Sequence, residues 1–534
     1  MLASTAFVAC TNDVETVENG AVAKGEKSYM AVNLVTPNAG SRAAEDGKYT
    51  DGEDYEVAVE NVRFYFFDKD GNAYPVGKVG NDEVNYFEPN VINFDVKDPA
   101  NDNVNSQSDA VIVIEKNKNT PPASVVAVLN AEALNLGGFM SLSELKGLDY
   151  SIAEGIAGCE AGAFVMTNSV YKTQANDVVT ATLIPFGSIC SSPEDAKEAP
   201  VSIYVERVVA KVSTNATKET SKFSIGETFG GNDVYAKILG WEITNYNDQS
   251  FLFKSLEGWE KWNFTNWDWN AAYHFRSFWA KSVNPTPAGT ATATAPNTEY
   301  KNDQTFAEMM GNYSAKYCLE NTNEVNNTQL LVAAQLQDKN GDALEIAQWM
   351  GVKYTVDDLK TQLAGTLASE YFQLKEGTTD EYESINKDYI TFVNPDNSWE
   401  EEEKRYTVNA KLTLPVGKTL YKEGLNDENE KTMLEVDDDE IAGINEKLAS
   451  SPIWLWTTGY TYYYLPIEHL GGKNGIVRNH LYNISITAIN GFGTPVYNPK
   501  EIILPQRPID DESYIAAQVN ILSWKVVNQE VTLQ

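Results

Sequence analysis

The sequence predicts a mostly β protein of two β-sandwich domains with helical insertions. Three observations carry that expectation. Apolar residues recur mainly with a period of two, Asp/Asn-Gly turn signals separate the runs, and 534 residues exceed one ordinary core while fitting two large ones. Hydrophobic residues make up 42%, with 28 Tyr, 20 Phe and 11 Trp to fill those cores. The domains are expected at 43–213 and 214–517, with the polar stretch 214–222 (TNATKETSK) as linker.

Each element follows from its pattern. SYMAVNLVTP at 28–37 reads as an isolated strand with Met30, Val32 and Leu34 on one face. Val57 to Phe67 alternates as a half-buried sandwich strand does. Further strands are expected at VIVI (111–114), SVVAVLN (124–130), VSIYVERVVAKVS (201–213), TQLLVAAQL (328–336), YTVNAKLTLP (406–415) and HLYNISITAI (480–489). KDGNAY after Phe67 and DKNGDA after Gln337 carry hairpin turn signals; neither has the Gly at position six and Glu at position twelve of a calcium loop. Helix is expected over 141–157 and in a cluster from Ala343 to Leu374, where Thr355 stands as an N-cap before an i, i+3, i+4 pattern. NPTPAGTATATAPNTE (284–299) reads as a surface loop, and the five tryptophans between 259 and 282 as indoles that bury one another or cover the sheet, with sugar stacking as the rival reading.

Composition limits function. Against 41 Lys and Arg stand 76 Asp and Glu, a formal charge of −35, which repels phosphate backbones, so nucleic acid is no partner. The four cysteines (Cys10, Cys159, Cys190, Cys318) form neither a disulfide framework nor a zinc pattern. Histidine occurs only at 274, 469 and 480, and no GxSxG, HExxH, P-loop or GxGxxG sits in a strand–helix setting. No catalytic site, metal or cofactor is expected. The acidic runs at 400–403 and 437–440 read as solvated faces. At the N-terminus, LASTAFVA before Cys10 has the form of a lipoprotein signal, although no Lys or Arg precedes it, and the polar residues up to 27 read as a tether.

Near the C-terminus, GYTYYYLPIEHLGGKNGIVRNHLYNISITAINGFGTPV (459–496) resembles the C-terminal signature of the type V fimbrillins of Bacteroidia, in particular the minor-fimbrium shaft subunit. VSIYVERVVAKVS, FVMTN (164–168), YCLENT (317–322), SFWAKS (277–282) and ILSWKVVNQEVTL (521–533) are similar to further landmarks of that family. The resemblance implies transthyretin-like pilin domains, export as a lipoprotein acylated at Cys10, and cleavage after an arginine. Arg42 is the only arginine before Arg63, so a cut between Arg42 and Ala43 would free the strand within 28–42. It also implies polymerisation by donor-strand exchange, the donor being 518–534 with Ile521, Leu522, Trp524, Val526, Val527, Val531 and Leu533 as its apolar side chains. Imperfect alternation there predicts a bend near Val526 and Val527. The implied partners are other copies in a fibre, tip and anchor subunits and a processing protease; the implied place is a surface fimbrium whose precursor is held to the outer membrane by lipid. A tip adhesin of the same family and a monomeric glycan-binding lipoprotein are the rival expectations.

Overall fold

In the computed structural model, residues 27–37, 53, 56, 58–89, 94–96, 104–115, 120–151, 164–169, 171–172, 178–255, 300–301, 303–322, 327–394, 407–469, 473–500, 502–503, 514–522 and 527–529 are described. They form a mostly β protein with several sheets. Among them no helix is long and apolar enough to cross a membrane.

The first sheet has nine strands. Its order is Tyr86–Phe87, Val62–Phe67, Ser124–Leu129, Met166–Asn168, Val201–Arg207, Lys27–Pro37, Val104–Glu115 and Phe94–Val96, with Thr182–Leu183 also paired to Ser124–Leu129. The expectation of half burial at Val62–Phe67 is corrected. Phe64 and Phe66 enter one core with Val125 and Ala127, while Tyr65 and Phe67 enter another with Val126, Phe164 and Phe253. Beyond the half-buried Arg63, a strand covered on both faces has no polar side to show, hence FYFF at 64–67.

Two five-stranded sheets share a core around Trp241. One contains Ala210–Thr214, Leu481–Asn490 and Tyr514–Leu522 and contributes Val212, Ile484 and Ile486; the other contains Asn232–Thr244, Gln329–Gln337 and Tyr460–Pro466 and contributes Ile238, Val332 and Ala334. The run 201–213, read as one strand, is therefore two. It breaks at the buried pair Val208 and Val209, with Val201–Arg207 in the first sheet and Ala210–Thr214 in the second.

A fourth core lies between Gln337 and Tyr460. It joins Leu359, Leu363, Tyr371, Leu420, Ile444 and Ile453 from two further sheets and two helices. The helical expectation over 343–374 holds only for Val356–Leu367, where the Thr355 side chain accepts the Asp358 N–H as an N-cap should. Before it, Ile346–Trp349 and Val352–Thr355 make a hairpin through Met350 and Gly351, both at positive φ. Over 141–157 the helix is only Leu142–Lys146, started by a Ser141/Glu144 capping box and ended at Gly147; Asp149–Ser151 is a strand on Gln249–Phe251, and 152–157 lie outside the described residues. The acidic run at 437–440 is more than a solvated face. Asp437 caps the helix Asp438–Ala449, whose first turn places three carboxylates at the positive end of the dipole.

The two turn motifs fold alike. Asp68 Oδ1 accepts the N–H groups of Asp70 and Asn72, and Asp338 Oδ1 those of Asn340, Gly341 and Asp342, at 2.8–2.9 Å. Gly71 and Gly341 supply the positive φ each turn needs.

Candidate functional site

The strand Lys27–Pro37 is interior to its sheet. It pairs antiparallel with Val104–Glu115 along its whole length and parallel with Val201–Arg207, Val32 opposite Val201 and Leu34 opposite Ile203. Met30 and Val32 are completely buried, packed with Val62, Phe64, Ile112, Ile114, Val201 and Ile203. Ser28, on the same parity, and Ala31, on the opposite one, are buried as well, and the short helix Pro193–Glu198 lies over the strand. Tyr29 exchanges both backbone hydrogen bonds with Cys190, at 2.9 and 2.8 Å. The strand is thus the only ladder connection between Val201–Arg207 and the pair Val104–Glu115/Phe94–Val96 among the described residues. The Leu34 side chain, Cys10, Arg42 and Ala43 lie outside them.

Downstream, the chain is fixed again at Glu56. Its carboxylate takes Lys211 Nζ at 2.6 Å and the Tyr317 hydroxyl, while its carbonyl accepts Arg207 Nε at 2.5 Å. Arg207 is buried, which lowers its pKa to about 10 against the opposing pull of Glu56.

At the other end of the chain, Tyr514–Leu522 pairs antiparallel with Leu481–Asn490, and Val527–Gln529 folds back on it, Ile521 opposite Val527. Two strands of the C-terminal run are described, and 523–526 between them lie outside the described residues. Trp524, Val526, Val531 and Leu533 lie outside the described residues, as do the side chains of Ile521, Leu522 and Val527.

The signature at 477–482 holds the buried junction between these ends. Arg478 Nε donates to Glu320 at 2.8 Å, Nη1 to the Leu252 carbonyl at 2.9 Å and Nη2 to the Phe251 carbonyl at 2.6 Å. Burial opposes its charge, but Glu320, Tyr150 and Glu206 outweigh burial and raise its pKa. Lys254 and Glu206 form a second fully buried pair at 3.3 Å, and burial raises the Glu206 pKa. His480 Nδ1 lies 2.7 Å from the Arg478 carbonyl, and the Tyr482 hydroxyl is 2.8 Å from His469 Nδ1 while accepting the Val477 N–H. Every one of these groups is shut off from solvent, so the cluster fixes the segment and offers nothing to a substrate. The Gly-X-Gly-Thr-Pro turn of the signature is equally architectural. Gly493 sits at φ 69° where a Cβ would meet Thr461 Oγ1 at 2.3 Å, and Trp456 Nε1 and Thr461 Oγ1 both donate to the Phe492 carbonyl.

Sequence reasoning missed Glu56, Glu206, Arg207, Lys254 and Glu320. The one legible signal was Glu206–Arg207, two adjacent charges inside an otherwise apolar strand, where burial demands a partner for each.

Residues 455–530 match the family model described as major fimbrial subunit protein type IV, fimbrillin, C-terminal. No curated protein matches the chain. Among solved structures, it is similar to a candidate cell adhesion protein from Parabacteroides distasonis (12% identity, TM-score 0.38, covering 95% of this chain and 98% of that one). It is also similar to a candidate cell adhesion protein from Bacteroides eggerthii (11%, TM-score 0.34, 95% and 98%) and to a fimbrial assembly protein from Parabacteroides distasonis (12%, TM-score 0.28, 62% and 86%). The family match falls on the strands and turn that carry the signature, and it supports the fimbrillin family and, with it, a fimbrial subunit.

Proposed function

We propose that this chain is the shaft subunit of a cell-surface fimbrium, built as two transthyretin-like β-sandwich domains (43–213 and 214–517). In this reading it is exported as a precursor held to the outer membrane through Cys10, cut between Arg42 and Ala43, and polymerised when residues 518–534 of one copy fill the place of 28–37 in the next. Tip and anchor subunits and the processing protease are its further partners.

The observation that carries the reading is that an interior strand comes first among the described residues. A single cut beyond it removes it without severing the rest. Met30 and Val32 at roughly 1.5–3 kcal/mol each amount to roughly 3–6 kcal/mol, a large share of a domain's stability. Removal must therefore be coupled to replacement, and an apolar strand from another copy restores both ladder and burial. In the single chain Tyr514–Leu522 is paired with Leu481–Asn490, so donation exchanges part of that ladder for an equivalent one.

Treatment with an arginine-specific protease, followed by negative-stain microscopy and N-terminal sequencing, tests the proposal. Filaments whose subunits begin at Ala43 are expected, and Arg42→Ala should remain a monomeric precursor. Monodisperse particles after complete cleavage, or fibre subunits beginning well before residue 43, overturn it.

A further inference from the structure

The unit between Gln337 and Tyr460 presents a sheet face that belongs to none of the apolar cores of the described residues. Four strands lie in the order Tyr382–Ser384, Tyr371–Leu374, Leu420–Leu425 and Lys431–Glu435. Tyr371 and Leu420 point into the core beneath. On the opposite parity Phe372 stands beside Tyr421, Leu374 beside Tyr382, and Glu423 beside Met433. None of these belongs to the core or packs against it. Tyr382 and Tyr421 meet edge to face at 5.0 Å, so the platform is held by its own rings. Leu425, at its hairpin end, is 55% exposed.

The rim is charged. Glu435 lies directly opposite Tyr421, and burial together with that carboxylate raises the Tyr421 pKa. Glu423 is the next outward residue on the same strand, and both carboxylates are exposed. Lys431, the cation on this face, sits at the hairpin end opposite Leu425. Across residues 338–459 acidic side chains outnumber basic ones by more than two to one.

We propose that this face docks an extended protein segment bearing lysine or arginine. Charge complementarity selects that occupant. Aromatic rings offer their faces to ammonium and guanidinium groups, the flanking carboxylates pair with them, and the field of an acidic chain steers cations toward the site. An anionic lipid surface is repelled by a chain at −35. Docking is independent of strand exchange, since it is measured on the uncleaved monomer.

The test uses the full chain and nona-arginine as probe, read by fluorescence anisotropy, with maltohexaose as a neutral ring-bearing ligand. Tyr382→Ala with Tyr421→Ala leaves net charge untouched and should weaken nona-arginine binding about tenfold or more, while Met350→Ala on the same unit changes nothing. Glu423→Lys with Glu435→Lys should weaken it further than Glu376→Lys with Glu428→Lys, an equal charge change away from the face; this pair decides the matter if the tyrosine variant does not fold. Failure of the native chain to bind the peptide overturns the proposal. So does equal affinity in the tyrosine variant, which means general attraction to an acidic protein, and so does binding of maltohexaose that alone depends on the tyrosines, which makes the face a sugar platform.

Discussion

The first sheet and the sheet around Leu481–Asn490 solve one topological problem in two ways. Each contains a parallel pair joining an early strand to a late one: Lys27–Pro37 beside Val201–Arg207, and Ala210–Thr214 beside Leu481–Asn490. Each early strand also has an antiparallel neighbour on its other side, Val104–Glu115 in one case and Lys316–Cys318 in the other. Each unit further has a strand that ends in the same aspartate-led turn, at Asp68 and at Asp338. The difference lies in connectivity. Ala210–Thr214 follows Val201–Arg207 after two buried valines and is tied in at both ends, whereas Lys27–Pro37 is the first strand described and the next long-range hydrogen bonds among the described residues are those of Glu56. Whether a strand can be excised is thus a property of its tethers, not of its pairing or burial.

The strongest way to break that comparison is to remove the strands. Protease-cleaved protein with no donor available should lose roughly 3–6 kcal/mol and unfold or aggregate, and a synthetic peptide of residues 27–37 should restore a folded monomer, read by circular dichroism and size-exclusion chromatography. A cleaved monomer that keeps its melting temperature without the peptide shows that the strand contributes little.

Next in size is the junction that the two units share. Arg478→Met leaves the Glu320 carboxylate buried without its cation, at a cost of about 3–5 kcal/mol. Adding Glu320→Gln should recover part of it. Peptide rescue of the cleaved Arg478→Met protein should persist, because Arg478 touches neither the N-terminal strand nor its groove; loss of rescue would show that junction and groove melt as one. Denaturant titration followed by tryptophan fluorescence measures both.

The sequence disclosed strands better than partners. Runs such as TQLLVAAQL and HLYNISITAI were legible because period-two patterning persists wherever one face of a strand meets a core. Val62–Phe67 was misread because burial on both faces erases the alternation that signals depth. The helix was overextended across 343–374 because Trp349-Met350-Gly351, a hairpin turn, interrupts residues whose spacing also suits a helix. The fixing of Glu56 by Arg207, Lys211 and Tyr317 was invisible, since charge partners over 150 residues apart leave no local spacing.

A finer contrast comes from single methyl-bearing side chains. Val32→Ala and Val212→Ala each remove a fully buried branch from the early strand of a unit, at about 2 kcal/mol apiece. Equal thermal shifts are expected in the intact chain. In cleaved protein supplied with the native 27–37 peptide, only Val32→Ala should be silent, because the altered strand has gone. A persisting Val32→Ala defect would mean that the cleaved strand stays in its groove.

The smallest expected effect concerns the paired turns. Asp338 accepts the backbone N–H of Asp342, which more than offsets the opposing effect of desolvation; the N–H groups of Asn340 and Gly341 add to it, so its carboxyl is held below the usual range. A depressed folded-state pKa contributes stability that is fully present above the unfolded value and is lost as pH falls through the folded one. Asp338→Ala should therefore be destabilised at neutral pH, and its gap from the native chain should close as pH falls to about 3 and below, past the ordinary aspartate range. The gap is the quantity to follow, because acid also discharges the −35 chain and moves both proteins together. Asp68→Ala removes the matching acceptor from the matching turn and should also be destabilised at neutral pH. Urea midpoints at neutral and acid pH measure all three chains. A gap that stays constant with pH would show that Asp338 acts through the shape of its turn and not through its charge, and opposite signs at Asp68 and Asp338 would show that the two turns, alike in hydrogen bonding, are not equivalent in energy.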